Sequence, residues 1–193
     1  MTNFRNEVSF YPEIKDYIEN QLKSNFLLTR EKELYVYWGI GELKSNLQRI
    51  IEDNKETCLC AHHFANNVPP LNLDIFALIT DGQNYELLIL EIKKRNSVGL
   101  KEWSQLVGYC LVSGAKYGLL VNIDNGPSQR LSDILSSEKH LSHIKTEVQE
   151  EQRIHLLGCM SWDSITHDFE YSNLGHITSL SALCREVSSG FQM

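Results

Sequence analysis

Two apolar runs separated by four turn-forming residues constrain this chain more than any other feature. Leu73 to Thr80 (LDIFALIT) and Tyr85 to Lys94 (YELLILEIKK) flank Asp81-Gly82-Gln83-Asn84, and apolar runs on either side of a D-G turn predict an antiparallel hairpin. Both runs are apolar on both faces, so the hairpin belongs inside a sheet covered by helices rather than at a wet edge. Closing it on residues 81–84 sets Asp74 directly opposite Glu91. A tighter turn centred on Asp81-Gly82 moves Asp74 to a diagonal position, but side chains alternate with period two, so Asp74, Glu91 and Lys93 share one face in either register.

Two carboxylates facing each other in an apolar sheet repel, and each costs several kcal/mol to desolvate unless something compensates. A divalent cation is the natural compensation. Mg²⁺ favours carboxylate oxygens, keeps some of its waters and completes its shell with substrate phosphate. Lys93 then stands where a positive charge can act on an attacking water or on charge developing at phosphorus.

The surrounding segments read as alternating helices and strands. Pro12 opens a helix with Ile14, Tyr17, Ile18 and Leu22 at helical spacing, and Glu33 to Trp38 (ELYVYW) predicts a short strand, with Gly39 and Gly41 as punctuation. From Gly41, Leu43, Leu47, Ile50 and Ile51 form the stripe of an amphipathic helix with Glu42 in its first turn. A short strand is expected near Thr57 to Phe64, and a loop over Asn66 to Pro70. Leu100 to Ser113 suits a helix ended by Gly114, and Tyr117 to Ile123 a buried strand. Beyond lie a polar helical region from about Ser128 to Glu151, a strand at Ile154 to Met160 and a terminal helix from about Thr178 to Val187. No internal repeat or linker interrupts this order, and the length of 193 residues fits one domain spanning 1–193.

Asp74 followed by Glu91-Ile92-Lys93 at the end of the next strand resembles the D…(D/E)-x-K signature of the PD-(D/E)XK phosphodiesterase superfamily. Gln105-Leu106-Val107-Gly108-Tyr109 is similar to the Q-x-x-x-Y motif of its RecB-like branch. Pro69 and Pro70 lie several residues before Asp74, so the family's Pro-Asp pair is not intact. The resemblance covers roughly residues 40–124, with an N-terminal helix and strand and a C-terminal extension outside it. It implies an α/β fold with a restriction-endonuclease-like core (αβββαβ), a central mixed sheet flanked by helices. It further implies a Mg²⁺-dependent deoxyribonuclease, endonuclease rather than exonuclease, with Mn²⁺ as a substitute ion. In that reading Asp74, Glu91 and Glu42 hold metal, Lys93 positions or activates water, and Gln105 with Tyr109 orients Lys93 or the scissile phosphate. Lys94, Arg95 and Lys101 form a local track for DNA phosphates.

Each residue also has a plainer reading: Asp74 as a loop cap, Glu91 with Lys93 as a solvated ion pair, Glu42 as a dipole-favoured first-turn acid. A rival of another class is a catalytically reduced nuclease-fold protein that serves as a nucleic-acid-binding or assembly module. The formal charge of −7 and pI near 5.5 exclude a broadly basic nucleic-acid surface, so positive charge must be local. The five cysteines show no C-x-x-C pair, and only Cys159 and Cys184 follow the core, so buried free thiols are expected and no iron–sulfur cluster. His62 and His63 lack metal-helix spacing and are read as structural or rim residues. Neither a signal peptide nor an apolar run of ~18 residues is expected, giving a cytoplasmic protein with DNA as partner and no membrane. A homodimer or protein partner stays open, as does RNA in place of DNA.

Overall fold

The computed structural model describes residues 6–148 and 151–191. Its architecture is α/β, with one mixed sheet of seven strands carrying helices on both faces. The strands are β1 (Tyr35–Glu42), β2 (Asn72–Thr80), β3 (Tyr85–Lys93), β4 (Tyr117–Ile123), β5 (His143–Val148), β6 (Glu151–Asp163) and β7 (Asp168–Gly175). Their order across the sheet is β1-β2-β3-β4-β6-β5, with β7 also on β6. The first three form an antiparallel meander, whereas β3, β4 and β6 run parallel.

The helices are α1 (Tyr11–Arg30), α2 (Leu43–Asp53), α3 (Lys55–Cys58), α4 (His62–Asn67), α5 (Leu100–Ser113), α6 (Gln129–Ser137) and α7 (Leu180–Gly190). Strand alternation divides the interior in two. Ile75, Ala77, Leu88, Leu90, Ile92, Leu119 and Val121 pack with α1 and α7. Phe76, Leu78, Leu87, Ile89 and Leu120 face the other way and pack with α2, α5 and α6. At about 25 cal/mol per Å² of apolar surface removed from water, these two layers are the main stabilising term of the fold.

The hairpin has the register that a turn over residues 81–84 requires, from Ile75 opposite Leu90 to Thr80 opposite Tyr85. Asp81 Oδ1 closes the turn by accepting from Gln83 N–H (3.0 Å) and Asn84 N–H (2.7 Å), and Gly82 supplies a positive φ of 88°. Helix α5 matches its expected bounds and ends on Gly114 at φ 77°.

Four expectations need correction. The strand expected near Thr57 to Phe64 is absent: α3, the 3₁₀ turn Leu59–Ala61 and α4 occupy that stretch. Cys58, Ala61 and Ala65 recur at spacings of three and four and bury one helical face against α2. The Asn66–Pro70 loop is shorter, because Asn66 and Asn67 belong to α4. The first strand does not stop before Gly39. It continues through a bulge between Gly39 and Gly41 to Glu42, where Gly41 at φ 83° absorbs the irregularity. Finally, the polar stretch 128–151 is helical only as far as Ser137. After the 3₁₀ turn Lys139–Leu141 it becomes β5, paired antiparallel with the start of β6; residues 149 and 150 lie outside the described residues. Strand β6 is long enough to pair with β5 along its first half and with β7 along its second, and β7 was not anticipated.

Candidate metal centre

The site sits where β3 and β4 end, on the face covered by α2 and α5. Glu91 and Lys93 follow the parity of Leu87 and Ile89, so both leave the sheet on that face. Asp74 lies at the irregularity opposite Ile40, where the β1–β2 register slips by one residue, and it meets Lys93 from the start of β2. Lys93 Nζ lies 2.8 Å from Asp74 Oδ2, 2.6 Å from Glu91 Oε1 and 2.8 Å from the carbonyl oxygen of Ile92. Asp74 Oδ2 also accepts from Ile92 N–H at 3.0 Å, which ties the start of β2 to the end of β3. Three oxygens thus converge on a single cationic atom.

Glu91 is the exceptional member. It is 1% exposed, and its Oε1 meets the Lys93 charge at 2.6 Å without the alignment of a hydrogen bond. Burial pushes its carboxyl pKa up, the Lys93 contact opposes this, and the charges of Asp74 and Glu7 push it up further. For Lys93 burial disfavours the ammonium, but the contacts with Asp74 and Glu91 outweigh it and raise the pKa. The pair therefore places an acid that resists ionisation beside an ammonium held charged.

The neighbouring strands extend this polar row. Lys93 is level with Asn122 on β4, and Asn122 with Ser161 on β6. Asn122 is fully buried; its Oδ1 accepts from Arg95 N–H (3.1 Å), while its Nδ2 donates to the Arg95 carbonyl (2.9 Å) and to that of Gly126 (3.3 Å). It thereby fixes the loops that leave β3 and β4. Ser161 Oγ donates to the Asn125 carbonyl at 3.0 Å. The crevice beyond the carboxyl ends of parallel strands is where open α/β sheets present ligands.

The other expected residues fall in different places. Glu42 is not in the first turn of α2 but caps it: its carboxylate accepts from Lys44 N–H (3.0 Å), Ser45 N–H (2.7 Å) and the Ser45 hydroxyl. The Ser45 hydroxyl and backbone hydrogen bonds, with help from Lys44, lower its pKa against a weak opposing effect of burial. Among the described residues no three His, Cys, Asp or Glu side chains are grouped to hold one ion, so Glu42 does not join Asp74 and Glu91. Gln105 and Tyr109 do share a face of α5, and Gln105 Nε2 donates to Tyr109 Oη at 3.0 Å. Neither makes a hydrogen bond or ion pair with the triad among the described residues. Lys94 Nζ stands 4.5 Å from the centre of the Phe10 ring, Arg95 pairs with Glu102 at 3.1 Å, and Lys101 is exposed in the first turn of α5.

Glu7 and Tyr11 were missed. Glu7 Oε2 accepts from Lys94 N–H at 3.1 Å and Oε1 accepts from the Tyr11 hydroxyl at 3.4 Å, which brings the 3₁₀ turn Glu7–Phe10, just before α1, to the end of β3. Burial, then the charges of Asp74 and Glu7, push the Tyr11 phenol far above its ordinary range. No local pattern announces this, because 87 residues separate Glu7 from Lys94. Asn122 carried a fainter signal, as an amide inside an otherwise apolar strand.

Four of the five cysteines are buried free thiols and Cys60 is half-buried. No described helix is long and apolar enough to cross a membrane. Comparison with protein-family models, with curated proteins and with solved structures finds no match to this chain.

Proposed function

We propose that this chain is a Mg²⁺-dependent nuclease that hydrolyses DNA phosphodiester bonds, with a restriction-endonuclease-like core formed by α1, β1, β2, β3, α5 and β4. One observation carries the reading: Asp74 Oδ2, Glu91 Oε1 and the Ile92 carbonyl converge on one cation at the carboxyl end of β3. The donors are hard oxygens, and a carboxylate only 1% exposed suits an ion better than it suits a solvated surface pair.

Asp74, Glu91 and the Ile92 carbonyl are the groups that would hold Mg²⁺, which when bound supplies a Lewis acid and offsets charge on the scissile phosphate. Since the Lys93 ammonium rests among the same oxygens, it must swing out toward the crevice for the ion to enter. There its charge reaches an attacking water or a phosphate oxygen. Asn122, by holding both loops at the crevice, keeps Arg95 close to that position. In this core the helix before the first strand is α1, with α2 to α4 inserted between β1 and β2. The acidic position that the resemblance gives to Glu42 then falls to Glu7, which lies just before α1 and beside the site.

A second reading, a catalytically reduced binding module, draws on the same ammonium: Lys93 neutralises the carboxylates without an added ion. Purified protein incubated with linear, circular and single-stranded DNA, with and without Mg²⁺, separates the two. The nuclease reading expects Mg²⁺-dependent cleavage that falls at least about 100-fold in Glu91→Ala and in Lys93→Ala. Cleavage that survives both substitutions, or none on any DNA with Mg²⁺ or Mn²⁺, overturns it.

A further inference from the structure

At the far end of the sheet the chain gathers positive charge around a cavity of about 760 Å³. It lies between the 3₁₀ turn Lys139–Leu141, the start of β5 and the segment that follows β7. Its charged and titratable lining is Lys139, His140, His143, Lys145 and His176, with no Asp or Glu among the described residues that line it. For a chain with a net charge of −7 this is a local inversion of sign. Two carboxylates touch the cluster from outside the lining: Glu138 at 3.4 Å from His140 Nδ1 and Glu186 at 3.3 Å from His176 Nε2. Neither Lys139 nor Lys145 has an ion pair among the described residues.

His143 stands at the centre of this cluster. Its ring packs edge-on against His176, with centroids 4.8 Å apart, and its Nε2 is buried without a hydrogen-bond partner. Burial, then the charges of His176 and Lys145, lower the proton affinity of His143 against a smaller pull from Glu186. The volume is within the range of small-molecule sites and well above that of a lone phosphate.

We propose that this cavity binds a phosphomonoester of nucleotide size, its phosphate held by Lys139 and Lys145. The inference does not rest on the nuclease reading. Following the register from Lys93 across β4 and β6 to His143, at ~3.3 Å per residue and ~4.8 Å per strand, puts the two sites roughly 20 Å apart.

Calorimetry in EDTA and about 150 mM salt tests it with three probes: inorganic phosphate, deoxyadenosine 5′-monophosphate and uncharged deoxyadenosine. One equivalent of the monophosphate should bind, deoxyadenosine should not, and Lys139→Ala with Lys145→Ala should weaken binding at least about tenfold. Both lysines are exposed, so the double variant should keep its fold. Glu91→Ala should bind as the parent does. Tighter binding of the nucleotide than of inorganic phosphate makes a nucleotide the source of the phosphate, and equal binding overturns the nucleotide-sized ligand. No heat from either phosphate probe at millimolar concentration, or binding indifferent to the double variant, overturns the proposal.

Discussion

The two faces of the sheet use the same strands and end differently. Under α1 and α7 the rows run apolar to their ends, finishing on Ile92, Ile123 and Trp162. Under α2 and α5 they finish on Glu91, Lys93, Asn122 and Ser161, all buried or nearly so. A single step along a strand exchanges one set for the other, because side chains alternate. The comparison teaches that the apolar face anchors the strands firmly enough for the opposite face to carry uncomfortable charges. Desolvated carboxylates persist only where surrounding packing holds them in place.

The contrast breaks most strongly at Leu90, which is fully buried on the apolar face next to Glu91. Leu90→Ala should cost about 3 kcal/mol of stability in chemical denaturation. That loss should be the same at pH 5 and pH 8, since no titratable group is removed.

At Glu91 the sign reverses. Its carboxyl pKa is raised in the folded chain, so its ionisation favours unfolding. Below the unfolded-state pKa both states are protonated and nothing is lost. As pH rises through the folded-state value the penalty grows, and above it the penalty is complete. Glu91→Gln should therefore stabilise the protein by about 1 kcal/mol at pH 8, with the gain disappearing on acidification through that window. A melting temperature that falls at pH 8 would show that the Lys93 pair stabilises more than burial destabilises.

The smallest effect is expected at Glu42. Its pKa is lowered by capping hydrogen bonds, so its contribution is present at neutral pH and is lost as pH falls through the folded-state value. Glu42→Ala should remove about 0.5–1 kcal/mol at pH 7 and leave metal affinity unchanged. A tenfold loss of Mn²⁺ affinity in this variant would return Glu42 to the metal centre.

Legibility in the sequence followed the range of the interactions. The hairpin and α5 were legible because turn residues, period-two runs and a terminal glycine are local signals. The meeting of Asp74, Glu91 and Lys93 came with the hairpin, but the slip in register opposite Ile40 at Asp74 and Ile75 did not. The stretch from Thr57 to Phe64 was misread because its buried residues are small: Cys58, Ala61 and Ala65 give a weak helical stripe that a few apolar neighbours mimic as a strand. Strand β7 was missed because its sequence, DFEYSNLG, lacks a continuous apolar face and draws its pairing from β6. The basic cavity depends on turns far apart in the chain and had no signature at all.

The central claim, that Asp74 and Glu91 form a cation site in which the Lys93 ammonium now rests, is tested most directly by Mn²⁺ calorimetry. The titration would be run on the unaltered protein and on the Asp74→Asn and Lys93→Met variants. The account predicts that the unaltered protein binds Mn²⁺, that Asp74→Asn weakens binding at least about tenfold, and that Lys93→Met tightens it by removing the competing charge. Absence of Mn²⁺ binding in all three proteins, or binding indifferent to both substitutions, would contradict it.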